Sequence, residues 1–232
     1  MIECIFTQNR CMTTKKEIIN PIGIVIHSSG TNNPNLSRYV YPSDNDKDYD
    51  YIRSVIGINK YGNHHNQTSS SKSMHYYIGK TSSGFVDIVK TLPHNVACWG
   101  CGKGSKGSYN YSPNAHLQIE VCEDDLSSFE YFAQCYAKIV ELCANICIDE
   151  NLSTSSIVSH KEAHKKGYAS NHRDIDHWLE KYDKNMDILR KDVANYIDNL
   201  TVKPFAFNGV VKIDGTEYEV SGTARKCWHL LW

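Results

Sequence analysis

Between His160 and Trp178 the chain reads HKEAHKKGYASNHRDIDHW, which places four of its eleven histidines and two aspartates in one segment. Imidazole and carboxylate at that density serve as metal ligands or proton carriers, and a surface loop has little use for them. Far upstream a lone histidine ends an apolar run, Ile22-Gly-Ile-Val-Ile-His27. A histidine rigidly aimed from a strand end, joined in space to a distant His/Asp cluster, is how a single-domain enzyme assembles a metal site with one open position. The chemistry this predicts is zinc-assisted hydrolysis. Taken singly, His27 and His160 read equally well as histidines that cap buried strands. Two of them, with carboxylates downstream of the second, shift the reading toward a metal.

Other residues offer weaker signals. Alternation along His116-Leu-Gln-Ile-Glu120-Val-Cys places His116, Gln118 and Glu120 on one strand face, opposite Leu117, Ile119 and Val121. That polar face reads as the open side of a sheet, on which Glu120 by itself reads as an ordinary half-exposed strand glutamate. His64-His65 lies in a polar loop and reads as adventitious. Cys98-Trp-Gly-Cys101 has the spacing of a redox or metal pair, but no second such pair exists and glycines replace the helix a redox motif needs, so it reads as structural. Gly100 to Gly107 lacks the order of a phosphate-binding loop and reads as a flexible loop.

The elements that must position these residues follow from periodicity. Residues 22–27 read as a buried β-branched strand bounded by Pro21 and Ser28-Ser29-Gly30. The next forty-odd residues are polar and loop-rich, with one short helix near Tyr49–Ile56. Met74–Gly79 and Phe85–Lys90 read as a hairpin around Thr81-Ser-Ser-Gly84, with Val96–Trp99 as a further strand. Ala115–Cys122 is a strand. A helix follows, opened by a capping box at Ser127 and Glu130, with Phe129, Phe132, Tyr136, Ile139, Val140, Cys143, Ile146 and Cys147 on its inner face. Ile157–Ser159 is a short strand delivering His160. A last helix is expected from about Trp178 to Leu200, with Leu189, Val193, Tyr196, Ile197 and Leu200 facing inward. After Val202-Lys-Pro204, Gly209–Val220 reads as a hairpin turning at Asp214-Gly215. Two strands alone are marginal, so this tail and its aromatic end, Trp228-His-Leu-Leu-Trp232, must dock on something.

Composition sets the bounds. The 232 residues fit one ordinary domain plus a small appendage, and a net charge of -1 gives no electrostatic case for nucleic acid or anionic membrane as partner. Fifteen tyrosines suit a polar, hydroxyl-rich ligand such as a glycan or peptide. Nine cysteines, an odd number scattered through apolar segments, fit a reducing compartment better than a disulfide framework. The first ten residues carry no signal-peptide pattern, and no run is long enough to span a bilayer.

Taken together and in order, IVIHSSG, SMHYYIGKTSSGFVDIV, VACWGCGKG, HLQIEVCED, SHKEAH and ASNHRDIDHW resemble the zinc-dependent N-acetylmuramoyl-L-alanine amidases of the type shared by phage endolysins, bacterial autolysins and peptidoglycan recognition proteins, over about residues 20–200. The resemblance implies an α/β fold: a mixed central β-sheet flanked by helices, with a zinc site in a groove at one side of the sheet. Residues 1–203 would be the catalytic domain and 204–232 a small β-rich tail that docks on it, on a second copy of the chain to give a homo-oligomer, or on the cell wall. The implied reaction cuts the amide between N-acetylmuramic acid and L-alanine in bacterial peptidoglycan. The alternatives are a peptidoglycan-binding module without catalysis and a zinc peptidase acting within the stem peptide.

The resemblance further implies His27 and His160 as zinc ligands and Glu120 as the base. The family's third ligand, an aspartate or cysteine with a lysine two positions before it, matches His172-Arg173-Asp174. Asp174 then takes the ligand role, and His172 the lysine's role of stabilising the oxyanion. The interval from His160 is longer than the family shows, so His172, Asp176 and His177 stay open for the third position. His75, Tyr77 and Trp99 fall at substrate-wall positions. Absence of a signal peptide suits an endolysin made in the cytoplasm of the host and released to act on the wall.

Overall fold

Side-chain alternation and β-branched runs produce a sheet whose central strands are buried on both faces. The computed structural model describes residues 1–14, 17–201, 205–213 and 216–224. In chain order the elements are β1 (Ile2–Glu3), α1 (Arg10–Thr13), β2 (Ile24–Ser28), α2 (Tyr49–Ile56), β3 (Tyr76–Lys80), β4 (Val86–Lys90), β5 (Leu117–Val121), α3 (Phe129–Asp149), β6 (Ile157–Ser159), α4 (His160–Lys166), α5 (Asp176–Lys181), α6 (Met186–Thr201), β7 (Phe205–Ile213) and β8 (Thr216–Ala224). Six strands form one mixed sheet in the order β1-β4-β3-β5-β2-β6, in which only the β3–β4 pair is antiparallel. The second sheet is the β7–β8 hairpin.

The two faces of the large sheet do different work. Ile24, Ile26, Ile78, Leu117, Ile119 and Ile157 point to one side and pack against α3 and α6, making the main core. On the other side lie two smaller clusters. Val25 and Val158 pack with Cys101, Tyr109 and Ala163, while Tyr77 and Val89 pack with Leu36, Tyr39 and Ile52. Between these clusters His27, Gln118 and Glu120 project from the same face. Crossover parallel strands are covered on both sides, so this face is not open as the alternation suggested: His116, Gln118 and Glu120 are all buried. Gln118 is satisfied there by His27 and Asn110, and His116 by the Asn114 carbonyl.

Several boundaries differ from the sequence reading, each for a local reason. Asp125 takes both the Ser127 hydroxyl and its amide, so Ser128 becomes the cap of α3, accepting from Tyr131 N at 3.1 Å. The capping box falls instead on α4, where Ser159 and Glu162 satisfy each other's amides. Phe129 is half exposed beside Tyr182 rather than in the core. The last helix breaks in two because Asp183 adopts φ 54 and the Asn185 side chain caps α6 through Ile188 N at 2.9 Å. Leu189 and Val193 are buried as expected, whereas Leu200 is exposed. Val96–Trp99 is no strand. It makes one bridge, Ile18 to Val96, and its amide and carbonyl groups bond to Ser73 and to the His75 ring. Gly100–Gly107 is docked rather than free, with Lys106 N donating to Gly167 O and Ser170 N to Cys101 O, both at 2.8 Å. The Asp214-Gly215 turn, the 202–204 boundary, Cys227 and the aromatic end at 228–232 lie outside the described residues.

Candidate active site

Register places the site. The β2–β5 ladder pairs His27 with Glu120, and the β5–β3 ladder pairs Glu120 with Tyr77. Adjacent strands bring such partners about 5 Å apart on one face. His160, the first residue of α4, arrives from β6, which pairs with β2 on the other side. The segment before α5 then carries Asp174 over the sheet edge. His27 Nδ1 lies 2.9 Å from His160 Nδ1 and 3.3 Å from Asp174 Oδ2, and His160 Nδ1 is 3.4 Å from the same oxygen. The two histidines are buried and Asp174 is partly so.

The chemistry of this donor set fits a cation. His160 turns its Nε2 to the Ser170 carbonyl at 3.0 Å, and His27 turns its Nε2 to Gln118 Oε1 at 3.1 Å. Both rings therefore carry their proton on Nε2 and leave Nδ1 bare. Burial, then the facing His160, hold the His27 imidazole toward its neutral form. Two bare nitrogens and a carboxylate oxygen converge with nothing to donate between them. A tetrahedral zinc spaces N and O ligand atoms by roughly 3.3–3.5 Å, and two of the three separations have that length. The residues thus form a candidate three-ligand metal site.

Two of the competing residues go elsewhere. His177 Nε2 sits 3.0 Å from Glu123 Oε1, and Asp176 lies beside Lys161, 3.9 Å away. The exposed ring of His172 stands beside His160, with 4.9 Å between ring centres. Glu120 is 8% exposed, and burial, then the Asp174 charge, push its carboxyl up to about 8.

Two expected wall residues are corrected. His75 is fully buried, donating from Nε2 to Val96 O at 2.9 Å and accepting the Gln118 amide on Nδ1 at 3.1 Å, so it touches backbone rather than substrate. Tyr77 is also fully buried, its hydroxyl 2.6 Å from His65 Nδ1. His65 is thereby a structural partner, not an adventitious loop residue. Trp99 keeps partial exposure. Cys98 and Cys101 are buried free thiols, as are all eight cysteines among the described residues, and burial drives the Cys98 thiol well above its ordinary value. Sequence reasoning missed Gln118 and Ser170 as partners of the histidines, and Asn110 as the partner of Gln118. The inward alternation of Gln118 was the one available signal.

A mixed six-stranded sheet flanked by helices, with a His-His-Asp cluster on the face opposite α3 and α6, defines the class: an α/β fold with a candidate metal centre at the strand ends. Residues 19–177, well over half of the chain, match the family described as N-acetylmuramoyl-L-alanine amidase, and the chain belongs to that family. It hydrolyses the amide between N-acetylmuramic acid and L-alanine in peptidoglycan. The fold is similar to that of the Staphylococcus aureus hydrolase AmiA solved with its ligand, with a TM-score of 0.56, 15% identity and 84% of this chain matched to 82% of that one. It is similar also to a mutant endolysin from Bacillus subtilis (TM-score 0.52, 19% identity, 83% against 97%) and to the PlyG catalytic domain (0.53, 15%, 88% against 99%). No curated protein sequence matches the chain at a significant level. Among the described residues no helix is long and apolar enough to cross a membrane.

Proposed function

We propose that the amidase is zinc-dependent, with His27, His160 and Asp174 holding the ion, and that it acts as a cell-wall lytic enzyme. The observation that carries this reading is the convergence of three acceptor atoms beside a buried carboxyl on the next strand. Zinc at such a site supplies Lewis acidity, polarising a carbonyl and acidifying water. The protein's own groups do the rest. Glu120 takes the proton of the attacking water as its oxygen bonds to the lactyl carbonyl carbon. It then passes that proton to the alanine nitrogen as the C–N bond breaks. His172, exposed beside His160, donates to the developing oxyanion in this reading. Trp99 remains the wall residue with a surface to offer substrate. The endolysin relatives and the buried free thiols support synthesis in a reducing compartment and action on the wall after release.

Digestion of purified cell wall, with and without a chelator, tests this reading. The expected products are intact stem peptides and uncut glycan, formed only when zinc is present. Peptides cut internally would make the protein a peptidase. Wall binding without any release would make it a recognition module. Among variants, His27→Ala, His160→Ala and Asp174→Ala should each lose the metal. If Asp174→Ala kept full zinc while His172→Ala or His177→Ala lost it, the third ligand would be reassigned.

A further inference from the structure

The glycine-rich segment Gly100–Gly107 plays no part in the chemistry above, yet it lies behind the metal site and its bonds run to both histidines. The amide of Cys101 donates to Asn110 Oδ1 at 3.0 Å. A backbone N–H can only donate, so the Asn110 atom facing it is the carbonyl oxygen. The same oxygen faces Gln118 at 2.9 Å, which obliges Gln118 to present its NH2 there and its Oε1 to His27 Nε2. An amide oxygen can only accept. The proton of His27 is therefore held on Nε2, and Nδ1 is left bare toward His160 and Asp174. On the other side, the Cys101 carbonyl accepts from Ser170 N at 2.8 Å and from Ser170 Oγ at 3.2 Å. The Ser170 carbonyl in turn accepts from His160 Nε2. One residue, Cys101, anchors the outer partner of each histidine.

The glycines make room for this arrangement. A Cβ at Gly100 would lie 2.1 Å from Gln118 Oε1, and a Cβ at Gly104 would lie 2.3 Å from the Gly167 carbonyl oxygen. A side chain at the first position would push Gln118 off His27. At the second it would lift the loop from the segment that holds Ser170.

We propose that Gln118, seated by Gly100, Cys101 and Asn110, is a positioning residue that fixes the His27 tautomer and so presents Nδ1 to the metal. The proposal rests on the metal reading above. It makes the glycine-rich loop the frame of the site rather than a flexible connector. Outer partners of metal-binding histidines are worth about 10–100-fold in affinity.

The test uses the full chain with three substitutions: Gln118→Met, which keeps length and loses the acceptor; Gln118→Glu, which keeps an acceptor for His27 but loses the donor to Asn110; and Gly100→Ala. Zinc affinity is read by competition with a chromophoric chelator, and the His27 tautomer by nitrogen NMR of the metal-free protein. Gln118→Met and Gly100→Ala should weaken zinc by about 10–100-fold and populate the Nδ1-protonated tautomer. Gln118→Glu should lose thermal stability while keeping the Nε2-protonated tautomer and near-wild-type zinc affinity. A packing role would instead make zinc affinity follow stability, so a Gln118→Glu protein as impaired in zinc binding as Gln118→Met would overturn the proposal. So would a folded Gln118→Met protein with unchanged affinity. Should Gln118→Met not fold, Gln118→Glu against Gly100→Ala decides the question. A wild-type protein that holds no zinc would sink the metal reading instead, and the NMR arm would still report the tautomer.

Discussion

Glu120 is a carboxyl whose surroundings favour its proton. With its ordinary value near 4.5 raised to about 8 by burial and by Asp174, the native state holds a proton that the unfolded chain has released. Between those two values the native state binds more protons than the unfolded one, so stability contributed by this group falls as pH rises from about 4.5 to about 8. The ceiling is on the order of 5 kcal/mol. Urea denaturation of the chelated protein across this window should show the decline, and Glu120→Gln should flatten it. A bound divalent cation opposes the effect by favouring the carboxylate, so zinc-loaded protein should show a shallower slope. In catalysis Glu120→Gln should keep fold and metal yet lose on the order of 10²–10⁴-fold in rate, the usual worth of a general base. Near-wild-type turnover in that variant would remove Glu120 from the mechanism.

At the scale of elements, the junction of β6 and α4 sets where His160 points. Ser159 ends the strand and caps the helix, so His160 is held at the first helical turn by the box with Glu162. Glu162 also receives both guanidinium nitrogens of Arg190 on α6, at 2.9 and 3.1 Å, while Arg190 donates to the Ile157 carbonyl at 2.8 Å. This strap ties α6, α4 and β6 together on the ligand-bearing side. Ser159→Ala should cost about 1 kcal/mol, the usual worth of a cap. Glu162→Gln should cost more, about 1–3 kcal/mol, because it disturbs the cap and a charge-assisted pair at once. The two should not add in a double-mutant cycle, since they share one box. Equal and additive losses in denaturant melts would show that the strap and the cap act independently.

For the whole molecule, the open matter is the hairpin. β7 and β8 pair over nine residues each, from Phe205 opposite Ala224 to Ile213 opposite Thr216. Val210 and Tyr218 fall on opposite faces by register, and both are exposed. A two-stranded unit with apolar side chains uncovered on both faces is marginal in water, so a docking surface, a second copy of the chain or the cell wall is the expected cover. Deleting residues 204–232 should leave zinc content and site chemistry intact, as expected if 1–203 is the catalytic unit. It should lower the melting temperature or change the oligomeric state. Unchanged melting, sedimentation and wall affinity would mark the tail as dispensable.

The sequence alone carried the strand and helix types of the large sheet, since periodicity of 2 and 3.6 is written in residue order. It carried the family too, because several motifs in a fixed order are specific where each alone is not. It marked His27 and His160, and the family resemblance added Asp174 with His172, Asp176 and His177 as competitors; the fold brings ligand atoms of His27, His160 and Asp174 within 4.8 Å of one another. Tertiary structure decided what local pattern leaves open. Asp125 chose which serine caps α3, and Asn185 split the last helix. Crossover loops buried His75 and Tyr77, which the family resemblance placed at a wall. Gln118 became a partner of His27, and the glycine loop its support, only because β5 lies between β2 and β3 and the loop folds back over them. The Gln118–His27 bond joins residues 91 positions apart, and chain order carries no local trace of it.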